Sequence, residues 1–205
     1  MFRNSPNCRN NDGTIRVKLG IFENRAGWVL TGGRSSRMGT DKALLEISGR
    51  PLALRVVDEI APLCGSVALV GDPDRYAHLG LRVIPDAFPG QGPLAGIEAA
   101  LAAAESDWNL IVACDMPALD KSIVEELFRA AGDCALPRYD DGRVEPLCAV
   151  YHRRCHSTVR KALETGVRKV TEALRPLAIR YVPVVGEGPF ANLNTPEEFR
   201  RYTNG

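Results

Sequence analysis

Two periodicities alternate along this chain. Short, mostly apolar runs at 28–30, 67–70, 82–84, 110–113, 135–136 and 147–151 predict buried strands. Between them, 51–63, 93–105 and 122–131 carry apolar residues at helical spacing, as in Leu54, Val57, Ile60 and Ala61. Pro51 and Pro93 suit the first turn of a helix, where a missing N–H costs nothing. Ser122 with Glu125, and Thr195 with Glu198, read as capping boxes. The alternation predicts an α/β protein of three layers, Rossmann-like, with a mostly parallel sheet between helices. In such sheets ligands bind beyond the carboxyl ends of the strands. After residue 144 the order is less regular: a strand at 147–151, helices at 157–164 and 169–174, and a strand at 179–183. This half has room for an antiparallel element or a subdomain for a second substrate.

A length of 205 residues favours one compact domain. Residues 1–26 are polar, rich in Asn and Arg, and lack the apolar core of a secretory signal, so they are expected to form a flexible N-terminal extension to a domain at 27–205. No run approaches the roughly 18 apolar residues of a membrane span, which points to a cytoplasmic protein without membrane contact. A formal net charge of +1 leaves no broad attraction to a nucleic acid. The six cysteines lack a C-x-x-C pair and read as free, mostly buried thiols. Cys148, His152, Cys155 and His156 have metal-ligand types near one another in sequence, but their spacing is loose for a metal motif and Arg153 and Arg154 stand among them.

Chemistry concentrates where strands end. After Trp28-Val29-Leu30 comes Thr31-Gly32-Gly33-Arg34-Ser35-Ser36-Arg37-Met38-Gly39-Thr40-Asp41-Lys42, a loop of glycines, hydroxyls and cations. Glycine lets backbone N–H groups approach an anion, and Arg37 and Lys42 can reach different phosphates of one triphosphate. The loop is neither a Walker A sequence, since Lys42 lies three residues after Gly39, nor a G-x-G-x-x-G fingerprint. Asp115 follows the run 110–113, where a carboxylate suits Mg²⁺ held jointly with substrate phosphates. Asp86 ends another strand, and Gly90-Gln91-Gly92-Pro93-Leu94-Ala95-Gly96 then opens a helix as a second glycine-rich loop.

The segment LTGGRSSRMGTDKALLEISGRPL, with its L-x-G-G-x-S-x-R-M-G-x-x-K pattern, resembles the opening of the nucleotidyltransferase family that includes molybdenum cofactor guanylyltransferases. The resemblance continues through VIPD, GQGPLAGI, ACDMP, EPLCAVY and FANLNTPEE, covering residues 27–202. It implies a Rossmann-like nucleotidyltransferase fold, and transfer of GMP from GTP to molybdenum-molybdopterin with Mg²⁺ and release of pyrophosphate. It implies backbone contacts from Leu30, Thr31 and Gly32 to base and nucleotide, phosphate contacts from Gly33, Arg37 and Lys42, a nucleotide contact from Asp86, and a metal on Asp115. Arg37, Lys42 and Asp115 are the expected catalytic residues. Gly92 and Leu94 of the second loop join the GTP-binding set, and Asn192 and Asn194 fall on the pterin side. Val70, Gly71 and Asp72 stand where some relatives carry an Asn that contacts nucleotide, a departure from the pattern. A monomer is expected, in transient contact with a molybdenum-inserting enzyme and with recipient apo-molybdoenzymes.

The phosphate of the pterin ionises with a second pKa near 6, so it needs no protein base to attack the α-phosphorus. The three histidines, His78, His152 and His156, lie outside the glycine motifs, and the expected task is positioning and charge neutralisation. Three alternatives stay open on sequence: CTP as donor to the same acceptor, a sugar phosphate as acceptor, and a noncatalytic nucleotide-binding module.

Overall fold

The computed structural model describes residues 7–9, 15–17, 24–32, 41–117, 119–130 and 132–185. In chain order the strands are β1 (Asn7–Arg9), β2 (Ile15–Val17), β3 (Arg25–Leu30), β4 (Glu46–Ile47), β5 (Arg50–Pro51), β6 (Ser66–Val70), β7 (Val83–Ile84), β8 (Trp108–Ala113), β9 (Cys134–Tyr139), β10 (Cys148–His152) and β11 (Ile179–Val184). The α-helices are α1 (Leu52–Ile60), α2 (Pro73–Tyr76), α3 (Pro93–Ala102), α4 (Lys121–Arg129), α5 (His156–Glu164) and α6 (Val170–Ala173).

The central sheet runs β6-β3-β8-β10-β9-β11, with β7 and β2 sharing the outer edge of β6. β2 pairs antiparallel with the start of β6 and β7 parallel with its end, while β1 pairs with β2 beyond them. Residues 7–9 and 15–17, inside the stretch expected as an extension, thus form a two-stranded ladder on the sheet edge. Strands β7, β6, β3 and β8 are parallel to one another. β10 is antiparallel to both β8 and β9, and β11 runs parallel to β9, so the main sheet is mostly parallel around one reversed strand. The irregular C-terminal half therefore extends the same sheet with an antiparallel element.

Both faces of the sheet are covered, which explains why its strands are continuous apolar runs. Val29, Val67, Leu110, Val112 and Val150 pack with α1 and α4 residues such as Val56, Ile60, Val124 and Leu127. Trp28, Leu30, Val70, Ile111 and Tyr151 pack with Leu94, Ile97, Val159 and Ala173 of α3, α5 and α6. Alternate residues thus enter opposite cores, as the pleat requires.

Helix ends follow the sequence signals with two corrections, at Pro51 and at the cap of α4. Pro93 occupies the first turn of α3, and Pro51 immediately precedes α1, which passes into a 3₁₀ turn at Ala61–Leu63. The cap of α4 is Asp120 and not Ser122: its carboxylate accepts from the Ser122 N–H, and a helix starting at Lys121 puts Ser122 inside the first turn. Glu125, the other half of the expected box, instead accepts from Arg25 at 3.2 Å. Thr195 and Glu198 lie outside the described residues. The hairpin β4–β5 turns through Ser48 and Gly49, both at positive φ (52° and 72°), as a two-residue turn that matches strand twist demands.

Candidate active site

Leu30, Val70, Ile84 and Ala113 are the last residues of four parallel strands, and they stand in register: Leu30 opposite Val70 and Ala113, Val70 opposite Ile84. The loops that leave them all emerge at one edge of the sheet. Asp41, Lys42, Tyr76, Asp86, Gly92 and Asp115 follow these ends, so topology brings together residues spread over 75 positions of sequence.

The first loop leaves through Thr31, whose N–H and Oγ1 both donate to the Val70 carbonyl at 2.9 Å. The Leu30 carbonyl accepts from Cys114 N–H at 3.1 Å, locking β3 to the turn that carries Asp115. Gly32 is exposed, and a Cβ there would meet nothing within 4 Å, which leaves its backbone open to a ligand. The chain is next described at Asp41, which caps a 3₁₀ turn at Lys42–Leu44 by accepting from Ala43 N–H. Lys42 then reaches across to Asp115, Nζ to Oδ2 2.9 Å, with about a fifth of each side chain exposed. This places two of the expected catalytic residues in direct contact. Gly33, Arg37, Asn192 and Asn194 lie outside the described residues.

The Asp115 carboxylate is an oxygen donor at the open end of β8, and the partial exposure of the pair leaves it accessible to a hard cation that completes its shell with water and phosphate oxygens. Among the described residues no group of three or more His, Cys, Asp and Glu side chains could hold a metal ion. Cys148 and Cys155 are buried, and Cys155 donates to the Asp133 carbonyl. His152 accepts from Arg154 N–H and stands edge-on to Trp108, while His156 meets Glu98. The four residues of the Cys/His stretch are thus engaged separately.

Asp86 accepts from Phe88 N–H at 2.7 Å, and its carboxyl is raised above the usual range chiefly by burial, with the charge of Glu98 adding. Gly92, at φ 80°, turns the second loop into α3. The Leu94 side chain is fully buried, so only its backbone, in the first helical turn, can face a ligand. Burial likewise raises the carboxyl of Glu145, and the negative charge of Asp115 adds to the effect.

Tyr76 and Glu98 escaped sequence reasoning, and Gly71 enters it only as a departure from a family Asn. Tyr76 donates toward Asp41 Oδ2 at 2.8 Å and lies 3.2 Å from the Thr31 carbonyl. Gly71 closes against both segments: a Cβ there would fall 2.2 Å from Thr31 Oγ1 and 2.9 Å from the Tyr76 ring. Glu98, 1% exposed in α3, accepts from His156 and Arg160 of α5 at 2.9 and 3.2 Å. The sequence signal for Tyr76 was Asp72-Pro73, a cap and first-turn pair that starts α2; Glu98 in an apolar helix was the signal for a buried acid.

A family model described as the MobA-like NTP transferase domain matches residues 27–178. The chain belongs to that family. It is thereby a nucleotidyltransferase, and the edge built from Lys42, Asp86 and Asp115 is the candidate active site of a MobA-like domain. The molybdenum cofactor guanylyltransferase of Rhodopseudomonas palustris is 41% identical over 186 residues, spanning 83% of this chain and 88% of that protein. A protein of Carboxydothermus hydrogenoformans named a probable molybdenum cofactor guanylyltransferase is 33% identical over 186 residues, 84% of this chain and 92% of its own length. The crystal structure of molybdopterin-guanine dinucleotide biosynthesis protein A from Archaeoglobus fulgidus superposes with a TM-score of 0.75 at 28% identity, covering 87% of this chain and 97% of that one. Among the described residues no helix is long and apolar enough to cross a membrane.

Proposed function

We propose that this chain transfers GMP from GTP to molybdenum-molybdopterin, forming a guanine dinucleotide form of the cofactor and releasing pyrophosphate. The observation that carries the reading is the Lys42–Asp115 contact at the aligned strand ends of a MobA-like domain. The names of its full-length relatives support GTP and molybdopterin as substrates.

An oxygen of the pterin phosphate attacks the α-phosphorus of GTP; the P–O bond to the β-phosphate breaks, and pyrophosphate leaves with the bridging oxygen. The nucleophile is largely ionised at neutral pH and requires no proton acceptor from the protein. Two polyanions must meet, so the chain's work is electrostatic. Lys42, released from Asp115 toward the triphosphate, neutralises phosphate charge as a mobile point charge. Arg37 takes a neighbouring phosphate in the same way. Backbone groups of Leu30, Thr31, Gly32, Gly33, Gly92 and Leu94 hold the nucleotide, with Asp86 as a polar contact. Asn192 and Asn194 serve the pterin side. Asp115 would hold Mg²⁺, which when bound supplies further neutralisation of the triphosphate. Residues 27–205 are the transferase domain, working in the cytoplasm as a monomer that meets the enzyme supplying the pterin and the apoenzymes receiving the product.

The test is pyrophosphate release from GTP, CTP and ATP in parallel with molybdenum-molybdopterin as acceptor. Release confined to GTP supports the proposal. Preference for CTP transfers the same chemistry to a cytosine product and overturns the guanylyl assignment.

A further inference from the structure

We propose that Tyr76 is a positioning residue for nucleotide transfer: its hydroxyl clasps both flanks of the first glycine-rich loop, Thr31 and Asp41, and thereby sets the turn that aims Lys42 at Asp115. This rests on the reading that Lys42 and Asp115 serve GTP.

Thr31 and Asp41 both meet the Tyr76 hydroxyl, and holding two chain positions close together costs entropy that fixed anchors offset. Tyr76 provides such an anchor. Its single hydroxyl lies 2.8 Å from Asp41 Oδ2 and 3.2 Å from the Thr31 carbonyl, so the proton goes chiefly to the carboxylate while both flanks stay within reach. The phenol is 2% exposed, and burial together with the Asp41 carboxylate pushes its ionisation upward, so it remains a donor. Asp41 spends its other oxygen on the next turn, accepting from Ala43 N–H at 3.1 Å. One carboxylate therefore links Tyr76 on one side to the Lys42–Leu44 turn on the other. Arg75 also approaches Asp41 Oδ2, at 3.3 Å, but its side chain is 62% exposed and such a pair contributes little.

The opposite partner is equally fixed. Thr31 is held twice by the Val70 carbonyl, and the missing Cβ of Gly71 is what allows Thr31 Oγ1 and the Tyr76 ring to close on the same backbone. The end of β3, α2 and the Lys42 turn are joined at one hydroxyl, and the end of β6 is tied to them through Thr31. Asp72 and Pro73 start α2 with a side-chain cap and so place Tyr76 four residues on.

Tyr76→Phe removes the hydroxyl and keeps the ring. In the full chain its KM for GTP should rise about tenfold, the effect of one hydrogen bond to a charged group, with kcat changed far less. Hydrogen exchange supplies a reading independent of activity: amides of Ala43 and Leu44 should exchange about tenfold faster while those of β3, β6 and β8 keep their protection. Tyr76→Leu, which also loses the ring, should add general destabilisation to the same local effect. Unchanged KM and unchanged exchange in Tyr76→Phe would overturn the proposal, as would a uniform rise in exchange with kcat and KM worsening together, the mark of a purely structural tyrosine. If wild-type protein turned over no GTP, the functional reading would fall while the exchange at Ala43 and Leu44 still decided whether the clasp exists.

Discussion

Lys42 Nζ sits 2.9 Å from Asp115 Oδ2, although 73 residues separate the two in sequence. The cation comes from the turn after the first glycine-rich loop and the acid from the end of β8, and each offsets the other's charge. On the proposed function, Lys42 would turn to the nucleotide phosphates and Asp115 to a cation.

Removing the acid should separate chemistry from folding. Asp115→Ala is expected to lower turnover about a hundredfold or more, the usual effect of losing one preorganised charge, with circular dichroism and the urea midpoint little altered. Steady-state pyrophosphate release checks this; near wild-type turnover would count against Asp115 as the metal carboxylate.

Lys42→Ala should act on the donor nucleotide first. Its KM for GTP is expected to rise by about tenfold or more, because a point charge on the phosphates is lost. Equal kinetic constants in variant and wild type would remove Lys42 from the phosphate site.

Gly71→Ala tests how tightly the strand ends close. The added methyl would sit 2.2 Å from Thr31 Oγ1, and relief requires backbone or ring movement costing about 1–3 kcal/mol. A lowered urea midpoint with unchanged m-value is the expected outcome, and an unshifted midpoint would show that the contact relaxes freely.

Glu98 makes a separate prediction for stability. Its carboxylate is 1% exposed, Oε1 takes both His156 and Arg160, and Oε2 is buried with no hydrogen-bond donor among the described residues. Arg160→Ala should cost about 1–3 kcal/mol, since a buried acid loses its guanidinium donor. Arg160→Lys should recover part of the loss in the same denaturation experiment.

Asp133 predicts a pH dependence with a definite sign. Ala178 N–H donates to Oδ2 at 2.8 Å and Arg154 to Oδ1 at 2.6 Å, and these contacts, the backbone one foremost, hold its carboxyl below the usual range. A depressed folded pKa means the stabilisation is fully present above the unfolded value of about 3.9 and is lost as pH falls through the folded value. Asp120, lowered by Ser122, acts in the same direction. Asp133→Asn should therefore be less stable than wild type by about 1 kcal/mol at neutral pH and should lose less on acidification from about pH 4 to 2. Urea midpoints across that range check it; parallel curves would contradict the assignment.

The α/β layering and the strand-end location of Lys42, Asp86 and Asp115 were legible because each rests on local signals: apolar runs, first-turn prolines, and an acid or glycine directly after a strand. The reversed direction of β10 was only half visible, since strand polarity depends on which neighbour it pairs with. Asp120 won the α4 cap over Ser122 because the helix begins one residue earlier than the apolar period suggests. Tyr76 was invisible because a tyrosine in a four-residue helix becomes informative only when Thr31 and Asp41 arrive from elsewhere in the chain. Glu98 likewise looked like one charge in an apolar helix until α5 brought His156 and Arg160 against it.

The proposed reaction is nucleotidyl transfer from GTP to the pterin at the Lys42–Asp115 edge. The most direct measurement follows radiolabel from the α-phosphate of GTP into molybdenum-molybdopterin in the presence of Mg²⁺, with Asp115→Ala alongside. Label in the pterin product with wild type, absent with CTP label in competition and nearly lost in the variant, is the predicted result. Label that stays in free nucleotide, or that transfers equally well with Asp115→Ala, would contradict the account.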